Sequence, residues 1–264
     1  MMALNNFLDE SVSSQQFLEK KMKKIILLLL ISISGFTHAA NGVFVINDVC
    51  VNFGCFTGDA NGYPVTITQP GSYILTSNLT STSETVGIIE IQASNVTLDL
   101  NGFAIIGPKT CTGSGVSLNC TLPSMGADGI KASGTINNIT VKNGSVRGFE
   151  DGVAIITGSY FENQIMNIQA TENDRGITLH SGTISDCQSN RNAKYGFSSA
   201  ISAFNNGYLK VKDSYAYGNF LHSIHAEVCS NVFFLNNGSN SSADADCGFY
   251  TDESICKDAR CIGL

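Results

Sequence analysis

The sequence predicts an all-β chain: a right-handed parallel β-helix, or solenoid, with an N-terminal cap and a disulfide-stapled C-terminal tail. Three observations predict it. A glycine followed by an apolar residue returns every 20 to 24 positions, at Gly129-Ile130, Gly152-Val153, Gly176-Ile177 and Gly196-Phe197. Each is followed by a short alternating segment rich in Val, Ile, Phe and Thr, then by a polar turn. No proline occurs from Gly129 to Asn237, as central strands require if their ladder donors are to be kept. A repeat this short cannot bury its own apolar face, so successive copies must stack to make a core.

The chain opens on a targeting signal. Lys20, Lys21, Lys23 and Lys24 precede an apolar run from Ile25 to Ile31 and a small-residue exit at Thr37-His38-Ala39. That order reads as a secretory signal peptide over 22–40, cut after Ala39 or Ala40, with 1–21 an upstream extension. The run is shorter than the roughly 20 apolar residues a membrane span needs, and nothing later is apolar enough to span a bilayer. The expected location is secreted or periplasmic.

One β-helix domain is expected over 41–237, its first part, 41–70, forming the cap. Strand-like text follows at Tyr63–Thr68, Gly71–Leu75, Gly87–Ile91 and Asn95–Phe103. Residues 107–126 break the period as an insertion. From Gly129 the second strands of the repeats align so that Val141, Ile168, Cys187 and Val211 point inward as one column. Lys142, Gln169, Gln188 and Lys212 point outward beside them, and Asn143, Ala170, Ser189 and Asp213 form the turn column. Residues 238–264 are a Cys-rich tail.

Nine cysteines in a secreted chain read as staples. Cys50 with Cys55 and Cys111 with Cys120 lie close in sequence, and Cys229, Cys247, Cys256 and Cys261 crowd the C-terminus. Cys187 is expected to be a buried small hydrophobe. The spacings match no zinc pattern. Asp244, Asp246, Asp252 and Glu253 offer oxygen ligands for calcium, but not at EF-hand spacing. The formal net charge of −7 argues against a nucleic-acid partner.

Three stretches carry a resemblance: Asn95-Val-Thr-Leu-Asp-Leu-Asn-Gly-Phe103, Asn138-Ile-Thr-Val-Lys-Asn-Gly-Ser-Val-Arg-Gly-Phe149 and Asp186-Cys-Gln-Ser-Asn-Arg-Asn192. They resemble phrases of the pectin-lyase-like superfamily, and within it secreted bacterial β-helix repeat proteins, over roughly residues 72–237. The resemblance implies the fold and places any chemistry on the outer face of the first sheet. Aligning the glycines puts Lys131, Ala154, Thr178, Ser198 and His225 in one outward column there. Ser133, Ile156, His180, Ala200 and Glu227 form the next. Glycoside hydrolysis needs two carboxyl groups roughly 5–9 Å apart, and in this alignment Glu227 is the one acidic residue. The hydrolase, lyase and epimerase signatures of the superfamily are absent.

Lys131, His180, His225 and Glu227 are therefore the candidate substrate-binding residues, and no catalytic residue is assigned. Glu150-Asp151 and Glu172-Asn-Asp174-Arg175 read as solvated turn charges. The aromatics Tyr195, Tyr208, Tyr215, Tyr217 and Phe220 read as rings packed on the surface, with sugar stacking the alternative. The function expected is binding of a polysaccharide or cell-surface component along the outer face, without catalysis. The alternatives are a polysaccharide lyase, hydrolase or epimerase, and a structural or adhesive spacer.

Overall fold

The computed structural model describes residues 39–40, 42–121, 126–157, 162–199, 209–220, 222–225, 228–235 and 237. The targeting segment and extension at 1–38, together with Cys247, Cys256, Cys261 and the acidic tail residues, lie outside them.

Two sheets of mainly parallel strands take up most of the described chain, which passes from one to the other and back, and a separate two-stranded hairpin is antiparallel. The first sheet pairs Val65–Ile67, Ile89–Ile91, Ile130–Gly134, Asp151–Thr157, Arg175–Leu179, Tyr195–Ser198 and His222–His225 in sequence order. The long sheet pairs Val43–Ile46, Gly71–Leu75, Val96–Asp99, Ile139–Arg147, Gln164–Thr171 and their successors through to Val228–Leu235. Each strand of either sheet thus lies beside the strand one repeat earlier, and we call one such pass a rung. Among the described residues, helix is confined to the one-turn helix Asp48–Val51, whose N-cap Asn47 accepts from the Cys50 amide at 2.8 Å, and a 3-10 turn at Gly115–Ser117. Long parallel sheets in an all-β chain are compatible with the predicted parallel β-helix.

Stacking like residues on like positions builds the core. In the first sheet Val65, Ile89, Ile130, Val153, Ile177 and Phe197 occupy one register position and all are buried. The long sheet contributes Leu98, Val141, Ile165, Ile184 and Val211, equally buried.

The single inward column read from the sequence is in fact two. Val141 and Val211 belong to the column just described. Ile168 and Cys187 belong to a second, with Gly144 before them and Ser214 after. The cause is a corner inside the strands. Asn143, Asn167, Asp186 and Asp213 stand there with φ of 60°, 51°, 55° and 47°, a left-handed conformation that Asn and Asp tolerate best among residues with a Cβ. One such residue turns the strand and resets its alternation. These four are the true turn column; Ala170 and Ser189, assigned to it from the sequence, are fully buried. At the corner the Asn167 amide donates to Asn143 Oδ1 at 3.1 Å, and Asn143 donates to the Asp99 carboxylate at 3.2 Å.

A second file of asparagines runs inside the molecule. Backbone N–H groups of Phe149, Asn173, Asn192 and Asn219 donate to the side-chain oxygens of Asn173, Asn192, Asn219 and Asn237, each one rung on, at 2.9–3.0 Å. The Nδ2 groups of those same four asparagines donate back to the carbonyls of Val146, Ala170, Ser189 and Ala216 at 2.9–3.3 Å. Asn173, Asn192 and Asn219 are 0% exposed. A buried amide left unpaired costs about 1–3 kcal/mol, so this ladder converts turn backbone that would be unsatisfied into a rung-to-rung link.

The ladder also explains two glycines of the beat, Gly152 and Gly176. A Cβ at Gly152 would sit 2.6 Å from the Gly176 carbonyl oxygen and 2.7 Å from Asn173 Nδ2. A Cβ at Gly176 would meet Gly196 O at 2.6 Å and Asn192 Nδ2 at 2.8 Å. Only glycine leaves room for the amides.

The insertion lies against the repeats. Its Cys111–Cys120 disulfide closes a hairpin of Cys111–Thr112 with Asn119–Cys120. Arg191 donates to the carbonyls of Cys111 at 2.5 Å and Gly113 at 3.1 Å, and Gly115 N–H donates to Gly218 O at 2.8 Å. Lys109, fully buried, pairs with Asp174, which Lys194 also approaches at 3.4 Å. Asp174 is therefore no solvated turn charge, as the sequence had suggested. A buried lysine demands a carboxylate, and the insertion supplies the lysine.

The Cys50–Cys55 bridge closes within the cap, where Phe44 and Phe56 pack ring against ring with each other and with Tyr73 of the strand that follows. The cap also holds an unforeseen strand, Val43–Ile46, which starts the long sheet's parallel run. Cys187 is free and buried as expected, and burial pushes its thiol up to about 12. Cys229 falls in the strand Val228–Leu235.

Asn192→Ala removes an acceptor for Asn173 N–H and a donor to Ala170 O. It should destabilise the protein by about 2–4 kcal/mol in denaturant unfolding, against less than about 0.5 kcal/mol for exposed Gln169→Ala. Equal effects of the two substitutions would contradict the ladder.

Candidate functional site

The outward column of the first sheet stands in the register the glycines predicted. Lys131 pairs with Ala154, Ala154 with Thr178, Thr178 with Ser198 and Ser198 with His225. The column begins two rungs earlier, with Thr66 and Glu90 beside Lys131. Glu227 is therefore not the one acidic residue of this face: Glu90 is on it, one rung from Lys131. The glycine alignment began at Gly129 and so passed over the alternation of Ile89-Glu90-Ile91. Glu227 itself and Ala200 lie outside the described residues.

Asp128 completes a charged group around Lys131, with Lys131 Nζ 3.7 Å from Asp128 Oδ2. Asp128 precedes Gly129 just as Asp151 precedes Gly152 and Arg175 precedes Gly176, so the repeat stacks these three side chains at one corner. Glu90, Asp128 and Lys131 line a cleft of about 220 Å³ whose walls include Pro64, Val86 and Gly87. Burial, reinforced by the charge of Asp151, pushes the Asp128 carboxyl up to about 6, with Lys131 opposing the shift. Asp151 N–H donates to Asp128 Oδ1 at 3.3 Å. The cleft thus joins a lysine, a carboxylate and a carboxyl that changes charge in the mildly acidic range.

Further along, the face is knit rather than open. Arg175 grips Asp151 through Nε at 2.5 Å and Nη2 at 2.6 Å, and reaches Glu150 at 3.1 Å. These bonds raise the Arg175 guanidinium pKa, the Asp151 hydrogen bonds being the largest cause, against the opposing effect of burial. Thr178 donates to Asp151 Oδ1 at 2.7 Å and shares a hydrogen bond with Ser198 at 2.9 Å. Ala154, Asp151, Thr178 and Ser198 are all buried. One expectation changes here: Asp151 is a buried partner, not a solvated charge.

The histidines do not join Lys131. His180 follows the strand Arg175–Leu179, half-buried, with its backbone N–H donating to Ile155 O at 3.0 Å. It stands on the rung of Thr178, two rungs from Lys131. His225 shares the column of Lys131 but four rungs away, roughly 19 Å at strand spacing. The structure brings Lys131 together with Glu90 and Asp128, and not with His180 or His225. Among the described residues no group of three His, Cys, Asp or Glu side chains is arranged to hold a metal ion.

Asp128 provides a test. A carboxyl raised in the folded state binds its proton more tightly there than in the unfolded chain, so it favours folding most below its unfolded value near 3.8. That contribution is lost as pH rises through about 6. Asp128→Asn should therefore stabilise the protein by roughly 1–3 kcal/mol at pH 8 and by little at pH 4, read from unfolding curves at both values. Stabilisation equal at both pH values would contradict the buried carboxyl. Compared with protein-family models, curated proteins and solved structures, the chain matches none of them.

Proposed function

We propose that this is a secreted or periplasmic right-handed parallel β-helix protein that binds carbohydrate, as a free polysaccharide or a cell-surface component, in the cleft of Glu90, Asp128 and Lys131, without catalysis. The convergence of those three side chains in one concave site carries the reading. Two carboxyl groups and an ammonium supply acceptors and a donor for neighbouring sugar hydroxyls, and Pro64 and Val86 offer an apolar wall to a ring face. Parallel strands joined within one sheet cross over right-handed in almost all proteins, which supplies the handedness. The likeness of the sequence to pectin-lyase-like proteins agrees with that fold and that ligand class, and the two short-range disulfides suit an oxidising compartment.

A second reading is a glycoside hydrolase. The raised Asp128 carboxyl favours it, since a general acid needs its proton near neutral pH. In it Asp128 would give its proton to the glycosidic oxygen while Glu90 takes one from the attacking water.

Titration with a panel of oligosaccharides separates the readings. Binding should be saturable and fall at least tenfold in Lys131→Ala, in keeping with the loss of one charged hydrogen bond, and be unchanged in His180→Ala. No new reducing ends should appear over hours with the wild type. Release of reducing sugar that Asp128→Asn abolishes would establish the hydrolase instead, and absence of binding to every probe would overturn both.

A further inference from the structure

We propose that the long sheet carries a second carbohydrate surface, beyond its corner, that takes a neutral glycan chain running across the rungs. It lies on a different sheet from the Lys131 cleft, and its ligand class rests on the reading of the protein as a carbohydrate binder.

Three observations meet there. The corner opens a cleft of about 470 Å³ lined by Asn143, Ser145, Asn167, Gln169, Asp186 and Gln188. From its floor one register position runs outward along the rungs as Ser145, Gln169, Gln188 and Tyr215. Gln169 and Gln188 are exposed, and their side-chain amides bond to no other described residue. Each therefore offers an unused donor and acceptor pair, the equipment that recognises a hydroxyl. Their spacing, roughly 4.8 Å per rung, is comparable to the length of one hexose unit.

The file reaches aromatic residues at Tyr215, whose register partner on the following strand is Phe233. Tyr215 and Tyr217, two residues apart on one strand face, are half-buried with ring centroids 6.3 Å apart and planes only 8° from parallel. Such a stacked pair offers apolar ring surface to the C–H face of a sugar and phenolic hydroxyls to its rim. A chain whose rings contact Gln169 and Gln188 reaches Tyr215 on the next rung. Charge selects its type. Asp186 is exposed in the cleft, and Asn143 is already committed to Asp99. A uronate chain would bring its carboxylates toward Asp186, whereas a neutral chain meets amides and rings.

The test uses the full chain in sedimentation with insoluble cellulose, chitin and xylan, and in affinity electrophoresis with soluble glucomannan and polygalacturonate. Tyr215→Ala/Tyr217→Ala and Gln169→Ala/Gln188→Ala are compared with Lys131→Ala and His180→Ala, after circular dichroism confirms wild-type spectra. The glutamine pair is exposed, so it tests the surface even if the tyrosine pair fails to fold. The expected result is retention on at least one neutral polymer, weakened tenfold or more by the tyrosine and glutamine variants and unaffected by His180→Ala. Wild-type retention in the glutamine variant overturns the proposal, as does binding to polygalacturonate alone. Loss in Lys131→Ala alone leaves the first cleft standing and removes the second surface. Failure of every polymer to bind removes both.

Discussion

One buried hydrogen-bond ladder underlies the rest of this structure. A chain that changes direction at every turn exposes backbone N–H and C=O groups at each corner, and where corners stack inside the molecule water does not reach them. Asn173, Asn192, Asn219 and Asn237 answer this by accepting from one turn and donating to the neighbouring rung. The ladder sets the register of the turns, and the turns set the register of both sheets. Gln188 stands beside Tyr215 because the rungs from Phe149 onward cannot slip past one another without breaking these amides.

Charge does on the outside of the corner what amides do within. Arg175 holds Asp151 and Glu150 across neighbouring rungs, and Lys109 brings the insertion down onto Asp174. Such pairs contribute little net stability, since desolvation offsets much of their attraction. Their effect is geometric. Arg175 occupies Asp151, and Asp151 keeps a negative charge near Asp128, which lies half-hidden at the end of the same file. The unusual carboxyl of the cleft is thus a product of the stack that supports it.

Much of this was legible in the sequence, and the failures are physical. The glycine beat gave the first sheet's register because Gly129, Gly152 and Gly176 must each clear the next rung's carbonyl, and Gly152 and Gly176 an asparagine amide as well. It could not give the asparagines, which recur at uneven intervals of 19, 27 and 18 residues because the loops between them differ in length. Alternation identified Val141, Ile168, Cys187 and Val211 as buried but merged two columns, since Asn143 and its equivalents turn the strand through a left-handed residue that period-two reasoning does not include. Lys131 was read correctly as an outward group. Glu90 and Asp128 were missed, one because its rung precedes the regular repeats and the other because its neighbours, not its spacing, make it unusual. Asp151 and Asp174 looked like solvated charges because their partners, Arg175 and Lys109, reach them from other rungs or from the insertion, 24 and 65 positions away.

The most direct measurement is hydrogen exchange at asparagine side chains, followed by NMR on protein labelled with nitrogen-15 at asparagine. The amide protons of Asn173, Asn192 and Asn219 should exchange far more slowly than those of exposed Asn167, and near the rate of the core backbone. Exchange of those three at the rate of Asn167 would show that the ladder does not exist, and the register built upon it would go with it.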